Sequence, residues 1–301
     1  MIKRWWTYQR ERFPLGSHGI LIAAFSFAAV SFSALLRDRS TLPGLISFVV
    51  AFATTFIFFL QLRISDEFKD QEDDARFRPY RPVPRGLVSL GELTGIAGIG
   101  AIVQFGLALA LTPFLLPLLI IVWIYLGLMT KEFFLAQWLR RHPLTYMLSH
   151  ALVLPLISFY AIACDWLLKS PHRPSGLIWF LGLSFFNALV FEIGRKIRTP
   201  SEEESGVETY SSLWGTRNAS LAWSGALCLS ALAALTAAAK VGAFLPFASL
   251  LILVLPAAAV TVGLFLRNPA RKYSTLFAPL SALWLLLSYM ALGTFPRLLP
   301  V

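Results

Sequence analysis

SDEFKDQEDDARFRPYRPVPRG, residues Ser65 to Gly86, is a densely charged segment in a chain that is otherwise apolar. Asp66, Glu67, Asp70, Glu72, Asp73 and Asp74 crowd its first half, and Lys69, Arg76, Arg78, Arg81 and Arg85 lie among and after them. The stretches on either side hold almost no charge. Over 301 residues the chain is 57% hydrophobic and 14% charged, with a mean hydropathy of +0.68. A soluble domain carries roughly a quarter charged residues. Charge confined to short segments between long apolar runs defines an all-α, multi-spanning membrane helix bundle.

A helix rises 1.5 Å per residue, so about 20 apolar residues cross a hydrocarbon core of about 30 Å. Nine such runs are present, at about 18–36, 43–62, 92–111, 113–129, 145–167, 176–193, 218–239, 243–266 and 275–295. The third and fourth are separated only by Thr112-Pro113. Pro117, Pro155 and Pro256 fall inside runs, where neighbouring helices can satisfy the carbonyls that proline frees. The basic start MIKRWWTYQRERFPLGSH precedes a run with no clean cleavage site after it, which reads as a retained first helix. Cys164 and Cys228 have no paired spacing and read as small core residues. Asp165, near the outer end of the fifth run, is expected at the interface. No soluble domain or linker is visible, so residues 1–301 form one integral-membrane domain.

Of the 26 Lys and Arg residues, 20 fall before the first run or in 63–86, 131–141, 195–217 and 267–272. Only Arg37, Arg39, Lys169, Arg173, Lys240 and Arg297 occupy the alternate segments. By the positive-inside rule the N-terminus is cytoplasmic and the C-terminus outside. The expected location is a bacterial inner (plasma) membrane. The net charge of +10 is then a property of topology, the lipid bilayer is the expected partner, and nucleic acid is not.

Topology does not explain the acidic residues, which contribute little to orientation. Six lie in 66–74 and four in 202–208, after the second and sixth runs. Equivalent placement in the loops 63–86 and 194–217 implies two related halves that face one site.

If the second helix continues past Leu62, Glu67, Asp70 and Asp74 stand at i, i+3 and i+7 on one face. Asp66, Asp70 and Asp73 make a nearly equivalent stripe. Two readings follow. The carboxylates hold a hard divalent cation such as Mg2+, which takes one or two carboxylates plus substrate phosphates. Otherwise they form a solvated loop end with Lys69, Arg76 and Arg78 as counter-ions. The following Arg78-Pro-Tyr-Arg81-Pro-Val-Pro-Arg85-Gly86 is stiffened by prolines and carries guanidinium groups suited to phosphate.

This combination resembles the first signature of the UbiA superfamily of membrane prenyltransferases, N-D-x-x-D-x-x-x-D followed by R-P-[IL]-P-x-G. Anchoring on Arg81 to Gly86 sets Asp74, Asp70 and Glu67 on the three aspartate positions and Asp66 on the asparagine. The second signature, D-x-x-D-x-x-x-D and then G-x-x-T, is partly present in FEIGRKIRTPSEEESGVETYSSLWG (Phe191–Gly215). Gly206 and Thr209 match G-x-x-T, and Glu192 stands for the first aspartate. Arg195 occupies the place of the second, and Lys196 and Arg198 are also basic. Glu202 lies four before Gly206, three residues too far from Glu192. Either Glu192 binds metal while the basic trio grips phosphate, or the trio anchors a helix end with Glu192 as its counter-ion. Lys131 resembles a family position that approaches diphosphate, with Glu132 where that family often has Arg.

The resemblance implies an enzyme that transfers a prenyl group from a prenyl diphosphate to an aromatic or lipid-like acceptor at the cytoplasmic face. Mg2+ would sit on Asp66, Glu67, Asp70, Asp74 and Glu192, with Asp70, Asp74 and Glu192 central to catalysis. Arg78, Arg81, Lys131, Arg195, Lys196 and Arg198 would bind the diphosphate. The rival is a transporter or binding protein for a cation or organic phosphate. Transporters place polar groups in broken helices near the midplane, whereas these runs are apolar there and charged at their cytoplasmic mouths.

Overall fold

The computed structural model describes residues 2–38, 42–169 and 172–298; Arg39, counted above among the outside basic residues, lies outside them. Every regular element among these is helical: α1 (Ile2–Arg12), α2 (Leu15–Arg37), α3 (Leu45–Lys69), α4 (Gln71–Phe77), α5 (Leu90–Leu111), α6 (Leu116–Thr130), α7 (Ala136–Arg141), α8 (Pro143–Ala151), α9 (Val153–Trp166), α10 (Leu177–Gly194), α11 (Tyr210–Lys240), α12 (Phe244–Arg267), α13 (Arg271–Ser274) and α14 (Phe277–Leu298). Nine helical segments among the described residues are long and apolar enough to span a membrane. All nine coincide with the runs read from hydropathy, which makes the chain an integral, multi-pass membrane protein.

The boundaries have local causes. Thr112 is extended (φ −167°, ψ 132°) and separates α5 from a 3-10 turn opened by Pro113. Pro117 and Pro155 sit in the first turns of α6 and α9, where few N–H groups have intrahelical partners to lose. The expected run 145–167 is one span, Pro143–Trp166, in which α8 and α9 join through Leu152 at helical angles (φ −62°, ψ −17°) three residues before Pro155. Pro256 lies inside α12 and Pro296 inside α14.

The chain divides into two compact units. The first comprises Met1–Ser26 and Pro43–Arg173. Within it α3 packs on α5, α6 and α9, and α6 also packs on α5 and α9. Neutral polar groups join these helices: Gln61 donates to Gln104 Oε1 (3.1 Å), as does the Trp123 indole (3.0 Å), and Gln104 donates to the Thr54 carbonyl (3.1 Å).

The second unit comprises Phe27–Leu42 and Pro174–Val301. Its α10 packs on α11 and α14, and α12 on both of those. Asn187 Oδ1 accepts from Ser230 Oγ (2.7 Å) and the Trp284 indole (2.9 Å), and its amide donates to Ser288 (3.2 Å). In each unit a side-chain amide accepts from an indole on another helix: Gln104 on α5 from Trp123 on α6, and Asn187 on α10 from Trp284 on α14. The interiors are not purely apolar, as hydropathy implied: neutral side chains bond one another between helices. Asp165, one residue from the end of its span, is buried at 2% exposure. Cys164 is buried, but Cys228 is exposed and is not a core residue.

One element escaped the sequence reading. The basic leader folds as α1, with Tyr8 packed against Ile64, Val88 and Leu93. Ion pairs hold it: Arg4 with Glu92, Glu11 with Arg85 (2.8 Å), and Arg12 with Glu67 (2.5 Å) and, more distantly, Asp74 (3.9 Å).

Candidate functional site

The first motif loop begins as a continuation of α3. Asp70 closes α3 and opens α4, and the i+4 bonds run unbroken from Asp70 N to the Asp66 carbonyl (2.9 Å), Asp74 N to Asp70 (2.8 Å) and Arg78 N to Asp74 (2.9 Å). The carboxylates are therefore carried on helix, as the spacing requires. The prolines then turn the chain, and Gly86 takes a left-handed φ of +74° that a side chain would resist.

The acidic residues divide into two sets. Glu67 and Asp74 are each only 2% exposed and are committed to guanidinium groups. Arg12 Nε lies 2.5 Å from Glu67 Oε1, with Arg63 Nε at 3.6 Å. Asp74 takes Arg81 Nη1 on both oxygens (2.9 and 2.7 Å) and Arg78 Nη2 at 2.7 Å. Arg12 Nη2 stands 3.9 Å from Asp74, so one arginine lies between the two carboxylates. Buried charges survive only when paired and hydrogen-bonded in this way. Arg12 Nη2, Arg63 Nε and Arg78 Nε are buried yet have no hydrogen-bond partner among the described residues.

Asp66 and Asp70 form the second set. They are one turn apart on the same helix face. Asp66 is 38% exposed in its side chain, with Arg63 at 3.5 Å and Lys69 at 3.7 Å, both beyond good hydrogen-bond geometry. Asp70 has no ion pair among the described residues. Burial raises its carboxyl above the usual range, and the Asp66 charge adds to this.

Beside this pair the α6–α7 connection makes a left-handed turn, with φ of 49°, 53° and 60° at Glu132, Phe133 and Phe134. Lys131 caps α6 and is exposed. Glu132, not Lys131, turns inward: its side chain is 13% exposed and lies 3.9 Å from Lys69 Nζ. Lys69 donates to the Tyr146 hydroxyl (2.6 Å), which donates to Glu132 Oε1 (3.3 Å).

In the second unit, both oxygens of Glu192 are engaged. Oε2 takes Arg195 (2.5 and 2.7 Å) and Oε1 takes Lys196 Nζ (2.8 Å). Arg198 pairs with Glu204 (3.0 Å). Glu202 accepts from Thr199 and Ser274, and Glu203 from Thr209. Gly206 has φ +73°, and Thr209 caps α11 in a box with Ser212. The G-x-x-T element is thus a turn and an N-cap. Among the described residues no three His, Cys, Asp or Glu side chains converge to form a metal cage.

Four site residues had no sequence argument behind them: Arg12, Arg63, Glu132 and Tyr146. Only Arg12 left a signal. Trp5, Tyr8 and Arg12 recur at helical spacing in the leader, placing Arg12 on the face that docks.

The spanning helix bundle carries guanidinium-braced carboxylates at one end of a helix pair. The chain belongs to the UbiA prenyltransferase family, whose model matches residues 24–287. Solved structures are similar in fold at low identity. A UbiA homologue from Aeropyrum pernix K1, in its apo form, is 16% identical over 94% of this chain and 98% of that one, with a TM-score of 0.69. A structure concerned with digeranylgeranylglyceryl phosphate synthase in membranes is 14% identical over 95% and 99%, with a TM-score of 0.59. A UbiA homologue from Archaeoglobus fulgidus bound to DMAPP and Mg2+ is 12% identical over 95% and 99%, with a TM-score of 0.56. No curated protein sequence matches the chain significantly.

Proposed function

We propose that this protein transfers a prenyl group from an allylic prenyl diphosphate to an aromatic or lipid-like acceptor at the cytoplasmic face of the membrane. The observation that carries the reading is the division of the first motif loop. Glu67 and Asp74 hold Arg12, Arg78 and Arg81 at 2.5–2.7 Å, and Glu67 also meets Arg63 at 3.6 Å, while Asp66 meets Arg63 and Lys69 only at 3.5 and 3.7 Å and Asp70 has no ion pair among the described residues. Three of those arginines keep a buried nitrogen without an acceptor, and a phosphate oxygen is a natural partner for each.

The donor set suits Mg2+, the ion bound with DMAPP in the Archaeoglobus homologue. Asp66 and Asp70 offer hard oxygens, and two carboxylates with substrate phosphates are a usual magnesium environment. These two residues, rather than the five expected from the resemblance, would hold the ion. Glu67, Asp74 and Glu192 already have guanidinium or ammonium partners. When bound, the ion neutralises charge that develops on the departing diphosphate. Arg12, Arg63, Arg78 and Arg81 add fixed positive charge in a partly water-excluded site, where preorganised donors are most effective. In the second unit, Arg195, Lys196 and Arg198 supply further phosphate-binding charge, with Glu192 keeping the first two oriented until phosphate exchanges for it. The basic-residue bias supports an orientation with the N-terminus and both motif loops inside.

The test uses the full chain in lipid nanodiscs with isotopically labelled dimethylallyl, geranyl and geranylgeranyl diphosphates. It is run with and without Mg2+, against a hydroxybenzoate, a dihydroxynaphthoate and a long-chain alcohol. Mg2+-dependent formation of a prenylated product is expected. Donor binding with no turnover on any acceptor, together with ion or phosphate flux in proteoliposomes, would instead establish the transporter reading.

A further inference from the structure

Glu132 lies outside the functional pattern of both motif loops, yet its surroundings hold it deliberately. Three successive non-glycine residues in left-handed conformation store roughly 1–2 kcal/mol each. Such strain persists only where packing over-determines it, most often at a working site. Here Thr130 Oγ1 bonds Ser65 Oγ at 3.0 Å, tying the end of α6 to α3. The Phe133 ring packs edge-on against Tyr125 (5.5 Å) and His150 (5.9 Å). The turn delivers one carboxylate to the open pair: Lys69 lies 3.9 Å from Glu132 and 3.7 Å from Asp66.

Oε1 of that carboxylate faces Lys69 and accepts from Tyr146. Oε2 is buried and has no hydrogen-bond partner among the described residues. A buried acceptor without a donor is uncommon and calls for a cause. Burial, the largest influence, raises the Glu132 carboxyl above the ordinary glutamate range. Asp70 reinforces this, while Lys69, the Tyr146 hydrogen bond and Arg140 oppose it. A stronger base whose one oxygen is fixed and whose other oxygen lacks a partner is suited to receive a proton.

We propose that Glu132 is the base that takes the proton lost by the acceptor substrate during prenyl transfer, an inference that rests on the prenyltransferase reading above. The bond between the allylic C1 and the diphosphate oxygen breaks, and both electrons leave with the diphosphate. An electron pair of the acceptor, from an aromatic carbon or a hydroxyl oxygen, closes the new bond to C1. The proton displaced from that atom moves to Glu132 Oε2. Tyr146 and Lys69 keep Oε1 in place and are positioning residues.

The experiment separates ionisation from transfer, using labelled geranyl diphosphate, Mg2+ and the three probe acceptors. Exchange of bridging for non-bridging 18O in the donor reports ionisation without any acceptor. Glu132→Gln should lower kcat for transfer by roughly 10²–10⁴-fold while leaving 18O exchange and the KM for donor near wild type. Glu132→Asp should restore part of the loss, and Tyr146→Phe, which keeps the ring packing, should lower transfer without affecting exchange. Equal loss of exchange and transfer would make Glu132 a structural anchor, and unchanged transfer would remove it from the reaction; either overturns the proposal. If Glu132→Gln fails to fold, the Tyr146→Phe result decides in the same way. A wild-type chain that neither exchanges nor transfers defeats the prenyltransferase reading itself, and this inference with it.

Discussion

Arg12 reaches from the N-terminal helix to Glu67, 55 residues further along the chain, and places its Nε 2.5 Å from the Glu67 carboxylate. The Arg12 side chain is 9% exposed and that of Glu67 1%. A residue in what reads as a topological leader is therefore part of the site. Removing it leaves Glu67 with only the more distant Arg63. Breaking a buried pair by deleting one partner costs about 3–5 kcal/mol. Arg12→Ala should lower the melting temperature in detergent by several degrees, and Arg12→Lys should recover part of that. An unchanged melting curve for the alanine variant would show that α1 does not brace the carboxylates.

The two sets of carboxylates should respond oppositely to neutralisation. Asp74→Asn leaves the half-buried Arg78 and Arg81 without their shared, buried counter-ion, so the protein should lose stability. Asp70→Asn removes an unpaired charge, so the fold should stay intact while Mg2+-dependent turnover disappears. Melting temperature and Mg2+-dependent activity measured on both variants check the division. Equal destabilisation by the two would erase it.

Asp70 also predicts a pH dependence. Its carboxyl is raised by burial and by Asp66, so the folded state holds that proton more tightly than the unfolded chain does. The stability it contributes is complete below the usual aspartate range, near about 4, and is lost as pH rises through its own higher value. Without Mg2+, the melting temperature should fall across that window. Asp70→Asn should flatten the fall and melt higher at neutral pH. A wild-type profile that rises across the window would contradict the raised value.

Arg195 tests the second loop. It and Lys196 are held by Glu192, and in the proposed function phosphate takes the place of that carboxylate. Arg195→Ala should weaken binding of a non-hydrolysable prenyl diphosphate analogue by about tenfold to a hundredfold, or roughly 1.5–3 kcal/mol. Arg195→Lys should recover only part, because an ammonium lacks the guanidinium fork. Unchanged affinity in the alanine variant would assign Arg195 to anchoring α10.

Gly194 ends α10 where a methyl group would collide with Ser281 Oγ and approach the Trp223 indole nitrogen at 2.9 Å. Those two side chains already share a 2.9 Å hydrogen bond. Gly194→Ala should destabilise the protein by about 1–3 kcal/mol through overpacking, seen as a lower melting temperature with donor affinity per folded molecule retained. A neutral result would mean that α14 yields at this contact.

The nine spans, their order and the helix breaks at Thr112-Pro113 were fixed by sequence, because partition between water and hydrocarbon depends on composition along a single dimension. The first motif was also legible, since Asp66, Glu67, Asp70 and Asp74 needed only helical spacing to share one side of α3 and α4. Which of them remain open was not. That depends on the rotation of each helix and on residues brought from elsewhere: Arg12 from α1, Arg63 one turn earlier, Arg81 from the proline turn. Gly206 and Thr209 read as part of a family signature, and their backbone angle and capping bonds show the local structure it forms, a turn and a helix start. That Glu132 turns inward while Lys131 stays exposed was decided by three left-handed dihedrals, which no periodicity encodes. A carboxylate is written into the sequence; its counter-ion, and hence its chemistry, is set only when distant segments are packed around it in a medium of low dielectric.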